Sequence, residues 1–240
     1  GVVEMDADTE FLDEGEEVVV RRFSAAIRMP TLLGVGEDDP VLSRLLDHLE
    51  RPRYLGVGTR EGLRRLRNGI PDVAVTTGPL ALEPAGTLIE TWTRDWGLII
   101  PSDNPSAVTG LSDLLDDDLR FVNRHRDSGL RASFEEALED VAAERDSNLR
   151  SLTEDIDGYD FTVRAHESPA RRVASGEADV GLGLRVSAES LDLGYVPVGE
   201  ETVAVYGNES RREKPGVQEF EAALSAHLGG IIDRVPGYET

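Results

Sequence analysis

Short apolar runs alternate with segments of helical period along most of this chain, and few folds accommodate that order. Thr31-Leu32-Leu33-Gly34-Val35 reads as a strand closing on Gly36. Val41, Leu42, Leu45, Leu46 and Leu49 then fall on one helical face. Tyr54-Leu55-Gly56-Val57 predicts a second strand and Val73-Ala74-Val75 a third. Between them, Leu63 and Leu66 mark a helix that Asn68-Gly69 stops. Two successive β-α-β units require parallel strands joined by right-handed crossovers.

The same pattern returns further on. Trp96-Gly97-Leu98-Ile99-Ile100 is a strand closed by Pro101, and Leu119-Arg120-Phe121-Val122 is another. A long helix follows, burying Phe134, Ala137, Leu138, Val141 and Ala142. Phe161-Thr162-Val163 is a strand, Ser168-Pro169 opens a helix that ends at Gly176, and residues 178–182 form the next strand. Tyr195-Val196-Pro197-Val198 and residues 202–206 are the last two strands, before a helix over about Val217 to Leu228. Two comparable halves result, about 30–90 and 98–200, with the final strand and helix returning to the first. Two open α/β lobes around a cleft explain this economically, and a single doubly wound sheet is the competing arrangement. The expected division is a short β segment at 1–28, lobe I at 29–92 plus 203–240, and lobe II at 93–202. The 1–28 segment has too few strands to stand alone, so it packs on the main body or belongs to an upstream domain.

Charge narrows the partners. Asp and Glu number 47 against 25 Lys and Arg, for a net charge of −22, and Lys214 is the only lysine. Acidity alone does not discard lysine while keeping arginine. We read the bias as adaptation to a salt-loaded cytoplasm, the alternative being an ordinary acidic protein. A surface this acidic argues against direct nucleic-acid contact, which needs clustered bases. No run approaches the length of a membrane span, and the start shows no secretory signal. Without cysteine there are no disulfides, thiolate metal sites or Cys nucleophile.

Four strand-to-helix junctions carry glycine or polar residues: Gly34-Val35-Gly36-Glu37-Asp38, Gly58-Thr59-Arg60-Glu61, Asp127-Ser128-Gly129-Leu130-Arg131 and His166-Glu167-Ser168. Free backbone N–H groups and the helix dipole suit such junctions to anions. The simpler reading makes Thr59, Ser128 and Ser168 plain helix caps. Asn123-Arg124-His125-Arg126, with Arg131 nearby, concentrates bases in an acidic chain, and guanidinium forks suit oxyanions. His48, His125, His166 and His227 are scattered without metal-ligand spacing. No serine sits in a nucleophile elbow, and the Gly-x-Gly pairs lack the rest of a dinucleotide fingerprint. Neither a catalytic residue nor a metal site is expected.

The run Phe121-Val122-Asn123-Arg124-His125-Arg126-Asp127-Ser128-Gly129-Leu130-Arg131 resembles a motif of the molybdate-binding-protein-like domain family. Residues 174–184 match it again, and residues 57–63 and 96–98 do so more loosely, so the resemblance spans about 31–206. It implies a two-lobed, periplasmic-binding-protein type II-like α/β fold that often works in the cytoplasm, fused to regulators or cofactor-synthesis enzymes. It implies a small oxyanion, molybdate or tungstate, as ligand in the cleft and no further cofactor. The residues it places around that ligand are Gly36, Glu37, Thr59, Arg60, Asn123, Arg124, Ser128, Gly129, Arg131 and His166, with Thr59, Asn123, Ser128 and Arg131 as donors. Residues 1–20 resemble the closing strands of molybdopterin molybdotransferases, some of which carry such a domain. The implied partners are therefore an attached enzyme or DNA-binding domain and a second copy of the chain.

Three positions depart from the family pattern. Glu37 stands where a small hydroxyl residue is usual, Asp127 replaces glycine, and Leu130 replaces a hydroxyl donor. A carboxylate at 37 or 127 repels an oxyanion unless it points away. The alternative expectation is therefore a degenerate module that has lost oxyanion binding and serves as an interaction domain or binds another small ligand.

Overall fold

The computed structural model describes residues 1–240 except 6–8, 10, 14–15, 81–82 and 116–118. The chain divides into two units, residues 1–30 and 31–240. In the first, β1 (Val2–Val3) and β2 (Val20–Arg21) form a short antiparallel ladder with Val3 opposite Val20. An Arg21–Glu4 ion pair at 2.8 Å flanks it. Residues 6–8, 10 and 14–15 of the expected 1–28 β segment lie outside the described residues.

The second unit opens with β3 (Leu32–Gly36), α1 (Pro40–Leu46), β4 (Pro52–Gly56), α2 (Thr59–Arg67) and β5 (Val73–Thr77). β3 lies between β4 and β5 and runs parallel to both. Every residue of β5 is buried, as expected of a central strand covered on both faces. β6 (Thr87–Ile100) then crosses into the second half, which holds β7 (Phe121–Arg124), α3 (Gly129–Glu144), α4 (Leu149–Asp155), β8 (Thr162–Val163), α5 (Ser168–Ala174), β9 (Val180–Leu184) and α6 (Arg185–Glu189). β7 is parallel to β8 and β9. The chain returns through β10 (Gly194–Gly207), and α7 (Pro215–Ile232) and β11 (Tyr238–Glu239) complete the first half.

β6 and β10 are each 14 residues long and pair antiparallel through both halves. The strand order is β4-β3-β5-β10-β6-β9-β7-β8, with β11 added on β6. Two large cores lie on either side of this crossing. One joins Leu32, Val73 and Trp92 to Val203, Phe220 and Leu224; the other joins Trp96, Leu98, Phe121, Phe134 and Leu182. Thus two lobes, each with its own core, share one pair of strands.

Two expectations need correction. Residues 195–198 and 202–206 are not separate strands but parts of β10, with a register shift between Pro197 and Gly199. The acidic Gly199-Glu200-Glu201 looks like a turn, yet the ladder continues through it because Glu201 faces Arg94 on β6. β6 likewise begins at Thr87, well before Trp96. Trp92, Arg94 and Trp96 alternate inward along it, so an arginine occupies a core position between two tryptophans.

Candidate functional site

At the mouth of the first half, β3 ends at Gly36 and the next residue turns its side chain inward. Gly36 has φ +125°, and a Cβ there would lie 1.9 Å from the Val75 carbonyl oxygen, so only glycine passes this point. Glu37 follows, fully buried. Its backbone is clamped by its own N–H donating to Val75 O at 2.9 Å and by the Tyr54 hydroxyl donating to its carbonyl at 2.6 Å.

The Glu37 carboxylate meets the starts of two helices. Oε1 accepts from Thr59 N, the first residue of α2, at 3.2 Å, and from Gly129 N, the first residue of α3. The Thr59 hydroxyl lies 3.2 Å from both Oε1 and Thr77 O, so its single proton favours the charged acceptor. That hydroxyl is itself oriented by Thr77 N, which donates to it at 2.9 Å. Ser128 Oγ donates to Oε2 at 3.4 Å. The first N–H groups of a helix have no partner within it and carry the positive end of its dipole. One carboxylate therefore caps α2 and α3 together.

The capping expected of the hydroxyl residues is not how these helices begin. Thr59 and Ser168 are the first residues of α2 and α5 rather than caps, and Ser128 stands at the cap of α3 without a side-chain cap bond. The Ser128 hydroxyl is turned to Glu37 instead.

The backbones close tightly around this point. Arg60 N donates to Asp127 O at 3.2 Å, and a Cβ on Gly58, at φ +88°, would lie 2.4 Å from that same oxygen. A Cβ on Gly129 would come within 1.9 Å of Thr77 O. A recess of about 40 Å³ beside Thr59, Arg60, Asp127 and Ser128 remains open.

The other expected residues have distinct places. Arg60 is exposed at the rim of that recess. Asn123 is buried but turned away, its amide donating to Tyr159 O at 3.1 Å and its oxygen accepting from Arg124 N at 2.8 Å. Arg131 is also turned away from Glu37. It bonds Glu135 at 2.8 Å, reaches Arg124 O and Tyr159 O, and stacks 4.2 Å over the Tyr159 ring. The sequence groups these two residues with the site, but the parity of β7 and the first turn of α3 direct them to Tyr159.

His166 faces a different carboxylate. Asp38 Oδ2 accepts from His166 N at 3.0 Å and lies 3.0 Å from His166 Nδ1, joining the β3–α1 loop to the turn before α5. Burial pushes the Asp38 carboxyl up, but the His166 hydrogen bonds and charge, with help from Arg124, outweigh this and hold it at about 2. Leu130 belongs to the core of the second half, and Asp127 bonds the His125 ring through its backbone N–H at 3.3 Å.

Arg124 is the most telling of the bases. It is 2% exposed, and one terminal nitrogen donates to Ala165 O. Its Nε has no hydrogen-bond partner. Among the described residues no carboxylate forms an ion pair with it. Burial depresses its pKa, while Glu37 and Asp38 counter this from a distance. A buried guanidinium without a direct counter-ion is costly unless an anion stands close by.

Beneath Glu37 lies a cluster that sequence reasoning did not anticipate. Arg94 donates to Asp39 at 2.9 Å and to Glu201 at 2.9 and 2.6 Å. Asp39 also caps α1 and accepts from the Tyr238 hydroxyl at 2.8 Å, while Ser133 donates to Glu201 at 2.7 Å. The signal available was the alternation of Trp92, Arg94 and Trp96 at period two.

Residues 79–225 match the PBP superfamily domain. The chain belongs to the PBP superfamily. The PBP fold is shared with a phosphate-bound, putative phosphate transporter substrate-binding protein from Clostridium perfringens, at 13% identity and a TM-score of 0.65, covering 87% of this chain and 99% of that one. It is shared too with the substrate-binding domain of a putative molybdenum transporter from Clostridium difficile, at 16% identity and a TM-score of 0.51, covering 87% and 98%. In sequence, this PBP chain is 30% identical over 157 residues to the uncharacterized protein YvgK of Bacillus subtilis. That match covers 62% of this chain and 48% of YvgK, so the chain spans about half the length of its relative.

Proposed function

We propose that this PBP domain is a non-catalytic module for recognising a small oxyanion between its halves. The observation that carries the reading is the convergence of Thr59 N, Thr59 Oγ1, Ser128 Oγ and Gly129 N on one carboxylate. Donors aimed at one point from two rigid helix starts hold an oxyanion with little rearrangement. The ligand-binding neighbours named above, one for phosphate and one for molybdenum, lend support to an anion as the ligand class. The finer reading is molybdate or tungstate, signalling in the cytoplasm to molybdenum-cofactor enzymes or their regulators as an attached or partner domain. The net charge of −22 and single lysine support operation at high salt.

A second reading has its own observation: the anion on those donors is the chain's own Glu37. On that reading the module has lost free oxyanions and serves as an interaction domain. Titration calorimetry in about 2 M KCl, with exposed charges screened, tests the choice using molybdate, tungstate and sulfate. Saturable binding of molybdate or tungstate supports the receptor. Heat changes no larger than dilution for all three anions, on folded wild type and on a folded Glu37→Ser variant alike, leave only the interaction domain.

A further inference from the structure

Resting on that reading of the donors as an oxyanion site, we propose that Glu37 is a tethered ligand: its carboxylate occupies the site in place of a free anion, holds the two halves closed, and must swing out before an external oxyanion enters.

Four features support this. The carboxylate sits where the free N–H groups of α2 and α3 meet, so it satisfies the donors that a bound oxyanion would satisfy. It reaches from the β3–α1 loop of one half to Ser128 and Gly129 of the other, and the neighbouring Asp38 makes a second crossing to His166. The halves are thereby bridged from a single loop. Glu37 is fully buried, and Gly58, Gly78 and Gly129 allow backbone to approach backbone around it, so its carboxylate takes these donors from within the fold while a recess stays open beside them.

Arg124 supplies an independent sign that negative charge is favoured near Glu37, which exerts the largest attraction of any carboxylate on this buried guanidinium. Its buried Nε is unpartnered, and its countercharges, Glu37 and Asp38, act on it without a direct bond. The electrostatics oppose double occupancy. Glu37, Asp38, Asp39 and Glu201 already face Arg94 and Arg124, so an added dianion would deepen an existing excess of negative charge. Exchange of Glu37 for the free anion avoids that excess. An intramolecular competitor has an effective concentration that a linker as short as one loop sets in the millimolar range or above. Free oxyanion therefore binds the wild-type chain weakly, and occupancy reports only high anion concentrations.

The test compares wild type with Glu37→Ser and with the isosteric Glu37→Gln, titrated with molybdate and with sulfate in about 2 M KCl. Small-angle scattering is recorded with and without each anion. Glu37→Ser is expected to bind at least one anion 10-fold or more tighter than wild type, to be more extended without anion, and to contract on binding. Glu37→Gln fills the same volume and guards against a variant that fails to fold; a gain of at least 3-fold is expected. If wild type binds as tightly as both variants, the tether is wrong and the oxyanion site stands. If neither folded variant binds any anion, the site reading fails and takes the tether with it.

Discussion

Two buried charge clusters lie within one sheet crossing of each other, and they are built on opposite principles. Around Arg94, charge meets charge: Asp39 and Glu201 each contact the guanidinium directly, and Tyr238 and Ser133 fill remaining acceptor positions. Around Glu37, charge meets neutral dipoles: two backbone N–H groups and two hydroxyls, with Arg124 near but unbonded. The first arrangement has no exchangeable partner, because removing any member strands another buried charge. In the second, every direct partner of the carboxylate is a neutral donor, so its removal strands no buried counter-charge in direct contact. The strut is anchored on β6 and β10 by Arg94 and Glu201, whereas the socket is assembled from the β3–α1 loop and the starts of α2 and α3.

The largest expected effect would break this contrast at its rigid end. Arg94→Met leaves Asp39 and Glu201 buried without a cation and should cost about 3–5 kcal/mol of stability, read as a lower denaturation midpoint in high salt. A loss under about 1 kcal/mol would show that the cluster is hydrated and not a strut. Next comes Thr59→Val, which removes a hydroxyl that donates to Glu37 and accepts from Thr77 N. It should cost about 1–3 kcal/mol by leaving buried groups unpaired. In the Glu37→Ser background it should also weaken oxyanion binding; unchanged affinity there would place the ligand elsewhere.

The smallest effect concerns the latch beside the socket. The Asp38 carboxyl is lowered to about 2 from an ordinary 3.8. Its contribution is therefore complete above about pH 3.8 and is lost as pH falls toward 2. The aspartate side chain is 31% exposed, so after allowance for solvent screening Asp38→Asn should cost about 1 kcal/mol near neutrality. Chemical denaturation across pH 2–5 checks the sign. The variant's stability should fall less steeply than wild type, and parallel curves would remove the latch from the comparison.

Much of the scaffold was legible from residue spacing. The strands beginning β3, β4 and β5 show as apolar runs, and the junctions bearing Thr59 and Ser128 announce themselves by glycine and hydroxyl residues beside helical periods. The socket's donors were therefore visible, as was the oddity of Glu37. The direction of Glu37 was not, since a carboxylate after a glycine can face solvent or turn inward, and only the φ of Gly36 and the clamp from Tyr54 decide it. The place of Arg131 was hidden for the reverse reason. A base near other bases suggests a shared ligand, but the helix turn carries it to Glu135 and Tyr159. The Arg94 strut was hidden because its two carboxylates come from distant segments, and acidic residues are so frequent that neither stood out.

The crossing of β6 and β10 also sets an order of assembly. Thr93 pairs with Thr202, and between them the second half is one continuous stretch whose core needs nothing from outside it except the flanking strands. The first half must await Val203, Phe220 and Leu224 before its core is whole. On a ribosome, where chain emerges from the N-terminus onward, the half that begins later in sequence is the one that can finish first. β3, β4 and β5 can pair among themselves at once, but the outer edge of β5 stays open to other chains until Val203 to Gly207 of β10 return to close it.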